Sequence, residues 1–96
     1  MHDCSVSTGD RWLRRTLPPL LSLPQTVVFV VFDEGSSDAR GGGHVPALAL
    51  GTAVRRGARF TGVTSHYGLL KTIELGWQLP LLARSASAQP IVGIWR

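Results

Sequence analysis

Residues 26–35 read TVVFVVFDEG, and the reading of this stretch decides the fold. An apolar run extends from Val27 to Phe32, and Val27 to Val31 are β-branched or aromatic without a break. So short a run, bounded by Pro24 before and Gly35 after, predicts a strand buried on both faces. Asp33 and Glu34 follow directly at its C-terminal end, and Gly35 lets the chain turn. Open α/β sheets bind ligands beyond the carboxyl ends of their strands, where the loops leave a crevice. Two adjacent carboxylates on a rigid strand end offer hard oxygen donors to a divalent cation. An ordinary acidic turn would carry the same residues.

Upstream, a helix is expected from about Gly9, with Ser7 or Thr8 as cap and Asp10 in the first turn. Trp12, Leu13, Leu17, Leu20 and Leu21 make one apolar stripe, and Arg11, Arg14 and Arg15 take the other side. Pro18-Pro19 should kink or restart that helix, because proline removes a backbone donor and clashes with the preceding turn. Downstream, GSSDARGGG (35–43) is loop by every local signal. HVPALALG (44–51) reads as a second strand, with Pro46 at its entry. A second helix should begin at Ser65 and carry Leu69, Leu70, Ile73 and Trp77 on its apolar face. The apolar end IVGIW (91–95) should pack onto something, since exposed it would be a liability. The order helix, strand, loop, strand, helix is α/β, but two strands do not make a stable doubly covered sheet alone. The chain therefore reads as the C-terminal piece of a larger α/β domain.

Composition narrows the function classes. The apolar share of 44% is high for 96 residues, and the charged share of 17% is low, so part of the surface is meant to be covered. The net charge of +4 suits an anionic substrate. Nucleic acid is not expected, because the basic clusters are only pairs, Arg14-Arg15 and Arg55-Arg56, with no interleaved aromatics for stacking. A single cysteine, Cys4, excludes an intrachain disulfide and builds no cysteine-based metal site by itself. No run approaches a membrane span, and MHDCSVSTGD is no signal peptide, which places the chain, as written, in the cytoplasm.

Three segments stand in a telling order: HDCSVSTGDRWLRRTLPPLL, TVVFVVFDEG, and GGGHVPALALG followed by SHYGLLKTIE. Together they resemble the C-terminal part of the bacterial phosphoesterase family that includes acid phosphatases and phospholipases C, within the alkaline phosphatase superfamily. The resemblance runs from His2 to Arg96. It implies the C-terminal portion of an alkaline-phosphatase-like three-layer α/β/α domain, with residues 1–96 a fragment lacking the N-terminal half.

The resemblance also implies a chemistry, the hydrolysis of phosphate esters at a metal-dependent site. It places Asp33 and Glu34 on a divalent metal ion of unknown identity, and His2 beside the phosphate. An imidazole there can hydrogen-bond a phosphoryl oxygen or protonate the leaving alkoxide. His66, at a helix start, is open to a phosphate role or a capping one, and His44, after three glycines, to a place in the same crevice. Arg55, Arg56 and Arg59 either steer anionic substrate or form a solvated rim. The family's serine or threonine nucleophile and its further metal ligands have no matching motif here, so the isolated chain is expected to be inactive, or to act with a complementary N-terminal chain. Members of that family are often exported. Two other readings remain beside it: a catalytically inactive truncated fragment, and a small basic anion-binding module.

Overall fold

The computed structural model describes residues 3–96, and His2 lies outside them. Helices and a two-stranded antiparallel sheet make a mixed α/β chain, compatible with a portion of an α/β domain. It divides into two compact units that meet in sequence at Val54 and Arg55.

The first unit is built on the stretch from Thr26. Helix α1 (Val6–Leu21) is capped by Ser5, whose hydroxyl accepts from the Thr8 amide at 3.3 Å. The helix therefore starts about one turn earlier than the sequence suggested, because Ser5 wins the capping role over Ser7 and Thr8. It also runs unbroken through Pro18 and Pro19. The two prolines sit near its end, and the donors they lack would have served only the carbonyls of Arg14 and Arg15, exposed residues that water reaches. The half-buried positions are Gly9, Leu13, Thr16 and Leu17, while Trp12, Leu20 and Leu21 are exposed.

Strand β1 (Val27–Val31) pairs antiparallel with β2 (Ala47–Gly51), Val27 opposite Gly51 and Val31 opposite Ala47. Pro46 precedes the ladder, as a residue without an N–H must, and its carbonyl accepts from the Phe32 amide at 3.4 Å. Gly51 has φ +135°, and a Cβ there would fall on the Thr26 carbonyl, so only glycine lets β2 close against the start of β1. The expectation of burial on both faces is corrected: β1 is half-buried and Val31 is exposed. A run of valines suits a strand covered once as well as one covered twice, and α1 is the helix that packs on β1.

The second unit is held by polar bonds rather than by an apolar seam. Helix α2 (His66–Gly76) begins at the expected cap, the Ser65 hydroxyl accepting from the Tyr67 amide at 3.3 Å. Its buried residues are Gly68 and Glu74, whereas Leu70, Ile73 and Trp77 are exposed. Of the apolar face read from periodicity Leu69 is half-buried, and the rest of the inward face carries small and polar side chains instead. These side chains reach the backbone of the C-terminal segment. Thr72 Oγ1 accepts from the Ile91 amide at 2.8 Å, and Lys71 Nζ donates to the Ala86 carbonyl at 2.9 Å. Just before the helix, Thr64 Oγ1 donates to the Gln89 carbonyl at 2.6 Å. The tail packs as expected, and Ile94 is its buried apolar side chain.

Glu74 is the centre of this unit. At 2% exposure its carboxylate accepts from the hydroxyl of fully buried Ser85 at 2.6 Å and from the Leu82 amide at 3.1 Å. Ser85 in turn accepts from the Leu82 amide at 2.9 Å, so the short 3₁₀ turn Ala83–Ser87 is clamped to α2. A buried carboxylate is tolerable only when its oxygens are satisfied in this way. Glu74→Ala is expected to cost roughly 2–3 kcal/mol in chemical denaturation, with Glu74→Gln milder because one acceptor survives. Gly68→Ala should cost a further 1–3 kcal/mol or so by overpacking, its new Cβ falling on the Thr64 hydroxyl and the Gln89 carbonyl.

Candidate functional site

The acidic pair leaves the end of β1 on a loop that the structure ties down. Beyond the ladder, the Gly35 amide donates to the Gly42 carbonyl, and the Gly43 amide to the Ala39 carbonyl at 2.7 Å. Arg40, Gly41, Gly42 and Gly43 all have positive φ, from +56° to +137°, a left-handed path that three consecutive glycines make cheap. The returning chain passes so close that a Cβ on Gly35 would lie 2.6 Å from the His44 carbonyl oxygen and 3.0 Å from that of Gly42. Gly42 in turn lies against Glu34, where its own Cβ would stand 3.5 Å from the Glu34 Cβ. The loop is a bonded turn, and it carries the His44 backbone back beside Gly35.

Asp33, Glu34 and His44 are all exposed, and so is His66, which begins α2 in the other unit. Among the described residues no three of His, Cys, Asp and Glu converge to hold a metal ion. The donor chemistry of Asp33 and Glu34 suits a hard divalent cation, but two carboxylates supply only part of the six or more oxygens that such ions take. The pair by itself therefore makes no complete coordination shell. Cys4 is a free, exposed thiol. No helix among the described residues is long and apolar enough to cross a membrane.

One feature of the second unit was visible in the sequence only as an undecided basic rim. Arg55, Arg56, Gly57, Ala58, Arg59 and Gly93 line a shallow, open cavity of about 280 Å³. Three arginines within five residues are the signal, but only the structure shows that the turn carrying them is fixed to the C-terminal segment.

Over 98 residues the chain is 34% identical to the phosphatidylinositol-3-phosphatase of Mycobacterium tuberculosis (strain ATCC 25618 / H37Rv), covering 99% of this chain and 32% of that protein. It is 26% identical over 90 residues to an acid phosphatase of Aspergillus fumigatus (strain ATCC MYA-4609 / CBS 101355 / FGSC A1100 / Af293), covering 86% of this chain and 20% of that one. These similarities support a phosphatase-type relationship. The chain spans about a third of the length of the first relative and a fifth of the second. No family model matches it, and no solved structure does either.

The closeness of the turn around the acids has a direct test. Gly35→Ala should break the Gly35–Gly42 bond, lower stability by about 1–3 kcal/mol, and abolish hydrogen-exchange protection of the residue-35 amide. Gly41→Ala has no neighbour to meet and should cost only about 1 kcal/mol, from the strain of its φ of +82°.

Proposed function

We propose that this chain is part of a phosphoesterase of the acid phosphatase or phospholipase C type, and that it supplies Asp33 and Glu34 to a divalent-metal site acting on phosphate esters. The observation that carries this reading is the acid pair at the end of β1, held by the Gly35–Gly42 closure, in a chain similar along almost its whole length to a phosphatase. A divalent cation bound there would polarise a phosphoryl oxygen and offset developing negative charge. Asp33 and Glu34 would hold that cation, and the exposure of both leaves them accessible to it. His44, whose backbone returns beside Gly35, is proposed to meet a phosphate oxygen, and His2 is proposed to hydrogen-bond the phosphate or protonate the leaving alkoxide. The phosphorylated hydroxyl and the remaining ligands would come from outside residues 1–96. His66 is proposed as a lesser phosphate contact.

The uncovered apolar side chains fit a portion of a larger three-layer α/β/α domain. Trp12 is 58% exposed, Val63 79% and Trp77 78%, more bare apolar surface than a complete small domain presents. On this reading the chain alone does not turn over substrate, and a complementary polypeptide completes the site.

A hybrid tests the reading. Residues 1–96 replace the matching third of the Mycobacterium tuberculosis relative, and hydrolysis of a phosphate monoester is measured with added divalent cation. The hybrid should be active, and Asp33→Asn with Glu34→Gln should lower its turnover by about 100-fold or more. A folded hybrid that is inactive, or whose activity ignores both substitutions, contradicts the proposal.

A further inference from the structure

The +4 charge of the chain is not spread evenly. Residues 1–54 hold four arginines against five carboxylates, a formal balance of one negative charge. Residues 55–96 hold Arg55, Arg56, Arg59, Lys71, Arg84 and Arg96 against the single side-chain carboxylate of Glu74, a balance of five positive charges. Glu74 is buried and bonded to Ser85 and Leu82, so it forms an ion pair with none of them. Lys71 is spent on the Ala86 carbonyl, and Arg84 stacks over the Tyr67 ring at 5.8 Å from its centroid.

The Arg55–Arg59 turn is different, because it is built and yet unspent. The Arg55 amide donates to the Ile94 carbonyl at 2.8 Å, and its guanidinium Nη2 donates to the Gly93 carbonyl. The Ala58 amide closes the turn on the Arg55 carbonyl at 3.1 Å, and Gly57 takes the left-handed φ of +73° that the reversal needs. Arg55 thus fastens the turn to the C-terminal segment. Arg56 and Arg59 are exposed, line the open cavity, and among the described residues take up neither a carboxylate nor a carbonyl.

We propose that this turn is a phosphate-binding site, taking a phosphate dianion, free or as a monoester, between the guanidinium groups of Arg56 and Arg59. Planar guanidinium forks match phosphate oxygens two at a time, which suits arginine to this ligand where lysine would act only as a point charge. The choice of phosphate rests on the phosphoesterase reading above, but the binding needs neither hydrolysis nor the acidic pair. The dianion is either free phosphate or a lipid headgroup on an anionic membrane, where each basic residue near the surface adds to attraction.

The 96-residue chain is titrated with inorganic phosphate while its backbone amides are followed by NMR. In parallel it is sedimented with phosphatidylcholine vesicles containing phosphatidylinositol-3-phosphate, or phosphatidylserine at matched charge. Phosphate should move the amides of residues 55–59 and 93 first. Arg56→Gln with Arg59→Gln should weaken binding about thirtyfold at low salt and flatten its salt dependence. Arg11→Gln with Arg15→Gln removes the same charge from α1 and should change affinity by less than about threefold. Asp33→Asn with Glu34→Gln should leave binding intact, so the loss of one reading does not carry the other. Sedimentation with the phosphoinositide vesicles and not with phosphatidylserine assigns the lipid headgroup as the source. Amide shifts with no vesicle preference assign free phosphate. Shifts scattered away from the turn, or equal losses in the two arginine pairs, would overturn the site in favour of net charge alone.

Discussion

The close passage of the chain at Gly35 is the constraint on which the candidate site depends. The β1–β2 ladder would end at Phe32 and Pro46, leaving Asp33 and Glu34 on an untethered loop. Instead the Gly35 amide reaches the Gly42 carbonyl, and the backbone of His44 comes within the space a side chain at residue 35 would need. Backbone without Cβ atoms on both sides makes this possible, and the run Gly41 to Gly43 supplies the left-handed turns that bring the chain back. Two like charges are thereby set side by side on a tied turn.

The second unit solves a different problem with the same economy of residues. Its helix offers polar and small groups to the C-terminal segment, and that segment supplies backbone N–H and C=O groups in return. Each of these bonds adds little net stability alone, but leaving one partner buried and unmatched is expensive, so the set behaves as a unit. Burying Glu74 has an electrostatic consequence as well. It withdraws the unit's side-chain carboxylate from the surface and leaves Arg56 and Arg59 without an acidic partner among the described residues.

Much of this was legible in the sequence. The valine run, Pro46 at the entry to β2, the Ser65 cap and the packing of IVGIW all rest on local chemistry, and local chemistry decided them. The start of α1 was missed because three hydroxyl residues compete to cap it, and one turn of helix separates their outcomes. The inward face of α2 was misread because periodicity counts apolar side chains, while here the partner is backbone that hydrogen-bonds to Thr72, Lys71 and Glu74. Asp33 and Glu34 were singled out by type and position, and the structure adds the closure that orders their turn. The groups that would complete the proposed metal site are not encoded locally at all, since metal sites gather residues distant in sequence.

The most direct measurement of the central claim is paramagnetic broadening by Mn²⁺ in the amide spectrum of the 96-residue chain, which reports even weak binding residue by residue. The account predicts that substoichiometric Mn²⁺ broadens the amides of residues 32–35 first, then those of residues 42–44 beside them, and that Asp33→Asn with Glu34→Gln removes the effect. Broadening centred on Asp10 or Asp38, or none until Mn²⁺ is in large excess, would contradict it.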